Sequence, residues 1–386
     1  MKKYYFQYLS LFIGMGAYST FLPVYLENSL NFSPSQIGVI LSLPSILGIL
    51  FVPICGIISD VSNKKKTVLF VNLLMCFIIS CIYTITKSFW SVFIICSLFE
   101  LFRSPVLPLT DSLTTSYCKK SNKNYGSIRV IGSLAFALSS FFCGLITNMT
   151  NNNLMFFYFL IISSLCCTII IPSLPIYCNK SQKVSLTRDL HLLFKNKKYV
   201  LILICGVCIS SMTEAMISYQ GIHLMNLGAT TKEVGLLIVF MVFPELIFMV
   251  KSKSLLDKLG LVKMLCIANI LLLIRWIIYY FTTTPLTFMI CTCAHGIVTS
   301  IITICAFDFI GNVVSDKLHT TAMTVYTFTV GISYSLLKLL YGTMIDIFGM
   351  KSIFAFSIIV SIATFVVLGV LKNVLYENRV KSAKMT

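Results

Sequence analysis

The chain has 386 residues, of which 57% are hydrophobic and only 11% are charged, and its mean hydropathy is +0.91. Apolar runs of such number and length exclude a soluble domain built around one core and predict an all-α membrane protein. The formal net charge of +17 does not indicate a nucleic-acid-binding protein, because nearly all the basic residues fall in short gaps between the apolar runs.

Runs of roughly 20 apolar residues predict twelve membrane-spanning helices. In chain order they cover 5–26, 36–60, 67–86, 89–112, 126–147, 153–176, 199–221, 233–251, 262–281, 286–310, 321–343 and 349–371. Lys and Arg concentrate in alternate gaps, and the positive-inside rule places those gaps and both termini in the cytoplasm. The sequence therefore predicts a multi-pass protein of the cell membrane.

The longest polar gap follows the sixth helix, and it is basic. It predicts an N-terminal six-helix half over 1–177, a cytoplasmic linker over 178–198, and a C-terminal six-helix half over 199–386 that ends in a short basic tail. Two halves of this kind are typical of secondary transporters built from repeats. The sequence contains no Walker loop, hydrolase motif or Cys/His zinc spacing, so we expect neither an enzyme nor a metal or cofactor site.

Short motifs near the helix ends repeat a small residue and an aspartate. Gly56 and Asp60 close the second helix, Asp257 follows the eighth, and Gly342 and Asp346 close the eleventh. A glycine permits close helix contact, and an aspartate accepts hydrogen bonds from a helix N-terminus or pairs with a basic residue. The repetition favours a structural role in helix contacts over the alternative that these residues simply terminate the helices.

Six ionisable residues border or interrupt the apolar segments: Asp111, Arg129, Glu214, Glu245, Arg275 and His295. A charge inside such a segment costs roughly 2.5–3.5 kcal/mol on insertion scales, so it needs a partner or a water-filled cavity. Asp111 is predicted to close the fourth helix and Arg129 to open the fifth, which makes a salt bridge across the short loop easy. The pair either borders a solute cavity or simply fixes the loop.

The motifs around these residues resemble the major facilitator superfamily. They are Pro-Leu-Thr-Asp at 108–111, Tyr-Gly-x-x-Arg-x-x-Gly-Ser at 125–133, Phe-Pro-Glu at 243–245, Arg-Trp at 275–276 and Ala-His-Gly at 294–296. The set is similar to the branch that contains lactose permease, the phenylpropionate permease and the nucleoside–proton symporters, over nearly the whole chain. The resemblance implies the major facilitator fold and secondary transport.

The resemblance also implies residue roles. Asp111 and Arg129 match charged residues that hold the solute, and Phe136 matches an aromatic plate that stacks on the apolar face of a sugar ring. Taken alone, Phe136 is better explained by core or lipid packing. The remaining matches are the carboxylate that couples solute binding to protonation and its basic network, at Glu245, Arg275 and His295.

One part of the lactose permease pattern is missing near His295. In that permease a second carboxylate follows the histidine by three residues and a lysine precedes it by three, where this chain has Val298 and Thr292. Glu214 or Glu245 is therefore left to carry the proton. A carboxylate whose arginine partner comes and goes would bind and release a proton during a transport cycle.

These observations favour proton-coupled symport of a small polar organic solute, namely a sugar or oligosaccharide, a nucleoside or an aromatic acid. The expected transporter is a monomer in the lipid bilayer that works by alternating access around a midplane site between its halves. One alternative is proton-coupled efflux of amphipathic compounds through an adaptable pocket of Phe and Met side chains. The other is a polytopic receptor or a membrane enzyme.

Overall fold

A computed structural model describes residues 1–62, 64–175, 186–314 and 318–383, and helix is the regular secondary structure throughout these ranges. The helices are α1 (Lys2–Asn28), α2 (Pro34–Val61), α3 (Lys65–Tyr83), α4 (Phe89–Arg103), α5 (Val106–Ser121), α6 (Tyr125–Thr150), α7 (Met155–Ile170), α8 (Leu186–Lys195), α9 (Lys197–Asn226), α10 (Thr231–Leu259), α11 (Leu261–Phe281), α12 (Pro285–Val313), α13 (His319–Phe348) and α14 (Lys351–Ala383).

Twelve segments of the described chain are long and apolar enough to cross a membrane, which confirms the predicted number. The fourth of them is formed by α4 and α5 together, Phe89–Ser121. The short helix α8 falls within the predicted linker, whose residues 178–185 lie outside the described ranges. The cytoplasmic location of the termini stays a prediction.

Proline interrupts the fourth span between α4 and α5. Pro105 has no amide hydrogen, and the last helical donor before it is the Ser104 amide, which donates to the Glu100 carbonyl at 3.0 Å. Glu100 is buried and forms a bidentate ion pair with Arg103, with distances of 2.9 and 2.6 Å. The pair lies within one helix, and it neutralises a buried charge that would be costly in the bilayer without a partner.

The end of the fourth span differs from the sequence prediction. Asp111 was expected to close the helix, but α5 continues to Ser121 and ends where Asn122 adopts a left-handed φ of 54°. Apolar runs mark only the part of a helix that lies in hydrocarbon, so a helix that projects beyond it is longer than its run. Asp111 is thus an interior residue of α5.

The residues fall into two compact units. The first comprises Met1–Gln182, Ile217–Val239 and Lys338–Asp346, and the second comprises Lys183–Met216, Phe240–Leu337 and Ile347–Thr386. The first unit thus includes segments of α9, α10 and α13. The predicted boundaries of the two six-helix halves stay predictions.

Small residues bring α1 close to its neighbours in the first unit. A Cβ on Gly16 would overlap the Phe136 carbonyl of α6, and a Cβ on Gly14 would lie 2.9 Å from the Ser163 Cβ of α7. Ser140 on α6 donates to the Gly16 carbonyl at 2.9 Å. Close backbone approach of this kind replaces the hydrophobic driving force that lipid cannot provide between helices.

The α13 segment of the first unit packs on the start of α2. A Cβ on Gly342 would overlap the Pro34 carbonyl, so the glycine is required there. Asp346 Oδ2 accepts a hydrogen bond of 2.9 Å from the Ser35 amide, in the first turn of α2, where unpaired N–H groups favour a negative charge.

The Gly-Asp motif at the end of α2 differs from the one at Gly342. A Cβ on Gly56 would meet nothing within 4 Å, and the adjacent Ile57 is 60% exposed, so the expected close helix contact at Gly56 is wrong. The aspartate of this motif, Asp60, pairs with Lys65 at 2.9 Å.

Hydrogen bonds from buried polar side chains join the helices of the second unit. Asn269 on α11 donates to the Ser361 carbonyl of α14 at 2.8 Å, and Tyr199 on α9 donates to the Ala322 carbonyl of α13 at 2.8 Å. These contacts position α9 and α11, the helices that carry the charged residues Glu214 and Arg275.

Candidate functional site

Asp111 is held by two tyrosines in the first unit. Tyr125 Oη donates to Asp111 Oδ1 at 2.9 Å, and Tyr8 Oη donates to the same oxygen. Tyr8 is completely buried, and its ring meets the Tyr125 ring edge-on with centroids 6.4 Å apart. The half-buried carboxylate is therefore stabilised by phenolic hydroxyl groups from α1 and α6.

Arg129 does not pair with Asp111. Among the ion pairs of the described residues neither side chain takes part, so the expected salt bridge is wrong. The Arg129 guanidinium lies over the Phe12 ring instead, 4.7 Å from its centroid, in cation–π geometry. Asp111 accepts hydrogen bonds from the Tyr8 and Tyr125 hydroxyl groups instead.

One nitrogen of Arg129 is left for another partner. Its Nη1 is buried and has no hydrogen-bond partner among the residues that the structure describes. A buried donor without an acceptor costs about 1–3 kcal/mol, more when it is charged. A bound hydroxyl or carboxylate oxygen at this nitrogen would remove that cost.

Phe136 lies on the same face of α6 as Arg129. Arg129, Gly132 and Phe136 are spaced by three and four residues, which places them on one helical face. Gly132 packs on Phe12, since a Cβ there would lie 2.8 Å from a carbon of that ring. The half-buried Phe136 follows one turn further along, so the predicted solute residues Arg129 and Phe136 share a surface.

Arg275 and His295 meet in the second unit. Arg275 Nη1 on α11 lies 3.4 Å from His295 Nδ1 on α12, and the residues are 1% and 2% exposed. A guanidinium only donates, so His295 Nδ1 must accept and Nε2 must carry the hydrogen of a neutral imidazole. Arg275 Nε and Nη2 are buried and have no hydrogen-bond partner of good geometry among the described residues. The guanidinium also lies 4.8 and 4.9 Å from the ring centroids of Trp276 and Tyr279.

Glu245 lies where α10 abuts α12. A Cβ on Gly296 would overlap the Met241 carbonyl and lie 2.7 Å from the Glu245 amide nitrogen. Ser300 Oγ donates to the Glu245 carbonyl at 2.8 Å. The backbone of Glu245 is therefore fixed beside the residue that follows His295, while its side chain is half-buried.

Glu214 lines a separate cavity of about 250 Å³, entirely within the second unit. Its other polar lining residues are Ser210, Thr213, Thr299, Thr303, Tyr326, Thr327 and Tyr334. We refer to it as the hydroxyl-lined cavity. Thr299 Oγ1 donates to the His295 carbonyl at 2.9 Å, so the cavity begins one helical turn from the Arg275–His295 contact.

Sequence reasoning missed the tyrosines around Asp111 and the hydroxyl groups around Glu214. The sequence does contain a signal for the hydroxyl groups around Glu214: His295, Thr299 and Thr303 recur every four residues and so form a polar stripe on one face of α12. No such pattern marks Tyr8, which lies 103 residues before its partner Asp111. No group of three His, Cys, Asp or Glu residues in the described chain is arranged to hold a metal ion.

Comparisons with known proteins agree with this architecture. A family model described as the MFS_1 like family matches residues 1–356. The chain is 29% identical over 321 residues to the uncharacterized transporter YwbF of Bacillus subtilis (strain 168), covering 83% of this chain and 80% of the relative. It is 25% identical over 321 residues to the maltose permease of Geobacillus stearothermophilus, covering 83% and 81%.

Two further proteins extend the comparison. The chain is 25% identical over 283 residues to the probable 3-phenylpropionic acid transporter of Escherichia coli (strain K12), covering 72% of this chain and 73% of the relative. The crystal structure of the nucleoside transporter NupG superimposes with a TM-score of 0.83, at 15% identity, covering 96% of this chain and 98% of that one. The structural likeness to NupG establishes the fold.

Proposed function

The chain belongs to the MFS_1 like family, and we propose that it is a secondary active transporter that moves a small polar organic solute together with protons. Its twelve apolar helices and its relatives make it a multi-pass membrane transporter. We assign it to the cell membrane with both termini in the cytoplasm, because its basic residues concentrate in the corresponding gaps.

The Arg275–His295 contact is the observation that carries the proposal of proton coupling. A neutral imidazole partner does not balance the charge of the buried Arg275 guanidinium. An ionised carboxylate nearby would offset that charge, and protonation of the carboxylate would restore it. Glu245, whose backbone abuts Gly296, is the carboxylate that we propose for this exchange.

Glu214 is proposed as the link between the proton and the solute. Its carboxylate shares the cavity with seven hydroxyl-bearing side chains. A solute hydroxyl that donates to Glu214 would compete with a proton for the same oxygen. The hydroxyl-rich lining supports a sugar or a nucleoside over an aromatic acid, since each hydroxyl of the cavity can both donate and accept.

In the first unit we propose solute contacts from Asp111, Arg129 and Phe136. Arg129 Nη1 needs an acceptor, and Phe136 offers an aromatic face to the C–H side of a sugar or to a base. The names of the relatives supply three solutes to test: maltose, 3-phenylpropionate and a nucleoside.

The test is uptake by proteoliposomes under an imposed inward proton gradient. We expect labelled maltose or uridine to accumulate, and a protonophore to abolish the accumulation. In Glu245→Gln liposomes the solute should still exchange with an internal pool but should not accumulate. Solute flux that does not depend on the proton gradient would exclude proton symport. A receptor or an enzyme would be favoured if no flux were found for sugars, nucleosides, aromatic acids or an amphipathic dye.

A further inference from the structure

A second and larger cavity lies in the second unit and shares no lining residue with the hydroxyl-lined cavity. It is an open cleft of about 1230 Å³ at one end of the helices. Lining residues come from the first turn of α9, the last turn of α10, the start of α11, the end of α12 and the part of α14 at Lys372 and Leu375. We call it the lysine-rich cleft, after Lys198, Lys263 and Lys372.

The cleft carries a net positive charge. Its two acidic residues, Asp257 and Asp308, both pair with Lys253, at 3.4 Å for Asp257. Lys198, Lys263 and Lys372 take part in none of the ion pairs found among the described residues. Three ammonium groups from α9, α11 and α14 therefore line one cleft whose two carboxylates are both paired with a fourth lysine, and the excess of positive charge suits an anionic ligand.

The rest of the lining is apolar. Leu259 and Ile267 are each 38% exposed, and Leu375 is half-exposed. Beyond the lysines, α11 and α14 continue as apolar membrane segments. A soluble anion would use the lysines and leave this apolar surface in water, whereas an amphipathic anion covers both.

The size of the cleft also favours a lipid. Sites for drug-sized molecules usually measure about 300–1,000 Å³, and this one is larger. Its lysines lie at the end of the helices that the positive-inside rule assigns to the cytoplasm, where the membrane surface is rich in anionic lipids.

The neighbouring parts of the chain do not supply the anion. The linker residues 176–185 carry Lys180 and Lys183 and no acidic side chain. After Leu375 the sequence contains one acidic residue, Glu377, and three basic residues, Arg379, Lys381 and Lys384. Both segments would repel the lysine-rich cleft rather than fill it.

We propose that the lysine-rich cleft binds the headgroup of an anionic phospholipid, with its phosphate among Lys198, Lys263 and Lys372 and its acyl chains along the apolar side. Such a lipid would tie together the ends of helices that meet at this cleft, including the α10–α11 joint at Gly260. This inference is independent of the transported solute and of proton coupling.

The experiment is thermal unfolding of the purified protein in an uncharged detergent, titrated with phosphatidylglycerol or with phosphatidylcholine of the same acyl chains. We expect phosphatidylglycerol alone to raise the midpoint. Each lysine contributes a factor of roughly five to lipid affinity, so the triple variant K198Q/K263Q/K372Q should bind phosphatidylglycerol roughly 100-fold more weakly. The matched control K119Q/K120Q/K123Q removes equal charge from the end of α5 and should keep the full shift.

Three outcomes would overturn the proposal. They are an equal shift with phosphatidylcholine, an equal loss in the control variant, and a full shift with inorganic phosphate alone, which would identify a free anion as the ligand. If the triple variant does not fold, the single variants K198Q, K263Q and K372Q are titrated in the same way. Unchanged phosphatidylglycerol affinity in all three would equally reject the lipid site.

Discussion

Arg275 and His295 touch through Nη1 and Nδ1 at 3.4 Å, and the next residue, Gly296, lies against the backbone of Glu245. Two consecutive residues of α12 therefore contact both α11, through His295, and α10, through Gly296. The contact fixes the tautomer of His295, and the Arg275 guanidinium also lies over the Trp276 and Tyr279 rings. Gly296 contributes close packing and the Arg275–His295 pair contributes a charged hydrogen bond, so substitutions at Gly296 and at His295 test the two contributions separately.

We predict that Gly296→Ala destabilises the protein. The added Cβ would overlap the Met241 carbonyl and lie 2.7 Å from the Glu245 amide nitrogen, and backbone atoms cannot rotate away. Overpacking of this kind typically costs 1–3 kcal/mol, roughly, so the unfolding midpoint should fall. Proton-driven accumulation should fall with it, because Glu245 is displaced.

The matched control is Gly56→Ala, where a Cβ meets nothing within 4 Å. Removing a glycine from a helix interior without a clash should stabilise by about 0.5–1 kcal/mol. Thermal unfolding of both variants, with tracer uptake, measures the difference. Equal midpoints for the two variants would contradict the close contact between α10 and α12.

Replacement of His295 should depend on whether an acceptor remains. In His295→Phe the Arg275 guanidinium loses its hydrogen-bond acceptor, and a hydrogen bond to a charged group is worth about 1.5–3 kcal/mol. His295→Gln keeps a carbonyl oxygen that can accept from Arg275, so it should retain most of the stability. Denaturation midpoints of the two variants provide the measurement.

The control for this pair is His191→Phe, at an exposed position on α8, which should leave the midpoint unchanged. If His295→Phe is as stable as His295→Gln, then His295 is a packing residue and the contact with Arg275 is incidental.

Asp111 should be energetically coupled to Tyr125 and not to Arg129. Tyr125 donates to Asp111 at 2.9 Å, whereas Arg129 stacks on Phe12. A double-mutant cycle of Asp111→Ala with Tyr125→Phe should give a coupling energy of about 1 kcal/mol. The cycle of Asp111→Ala with Arg129→Gln should give less than about 0.5 kcal/mol. A larger coupling energy for Asp111 with Arg129 than for Asp111 with Tyr125 would support the salt bridge that the sequence suggested.

That salt bridge illustrates what a sequence of this kind reveals. The number of spans follows from the length of each apolar run, which depends on local composition alone. The partner of Asp111 depends on which face of α5 turns towards α1, and Tyr8 is too distant in the chain to be found by spacing. The charged residues could therefore be predicted as important, but their contacts could not.

Glycines show the same limit. Gly56 and Gly342 begin identical Gly-x-x-x-Asp motifs, yet only the second of these two lies against another backbone. A glycine is required where two helices cross, and the crossing point is a property of tertiary packing. Local sequence identified the motif in both places and gave no means of separating them.

Thr303→Val should weaken solute binding without harming the fold. The substitution keeps the shape of the side chain and removes one hydroxyl from the lining of the hydroxyl-lined cavity. A lost hydrogen bond of about 0.5–1.5 kcal/mol should raise the KM for uptake roughly two- to tenfold, with the maximal rate little changed. The measurement is initial uptake of the solute identified by the proton-gradient assay, over a range of concentrations.

Thr150→Val is the control, since Thr150 is exposed at the end of α6 and lies outside the cavity. Its KM should equal that of the unaltered protein. Glu214→Gln in the same series should change the pH dependence of KM as well as its value, because a carboxamide does not titrate. A KM that stays constant in both Thr303→Val and Glu214→Gln would remove the hydroxyl-lined cavity from the transport pathway and leave the solute to Asp111, Arg129 and Phe136.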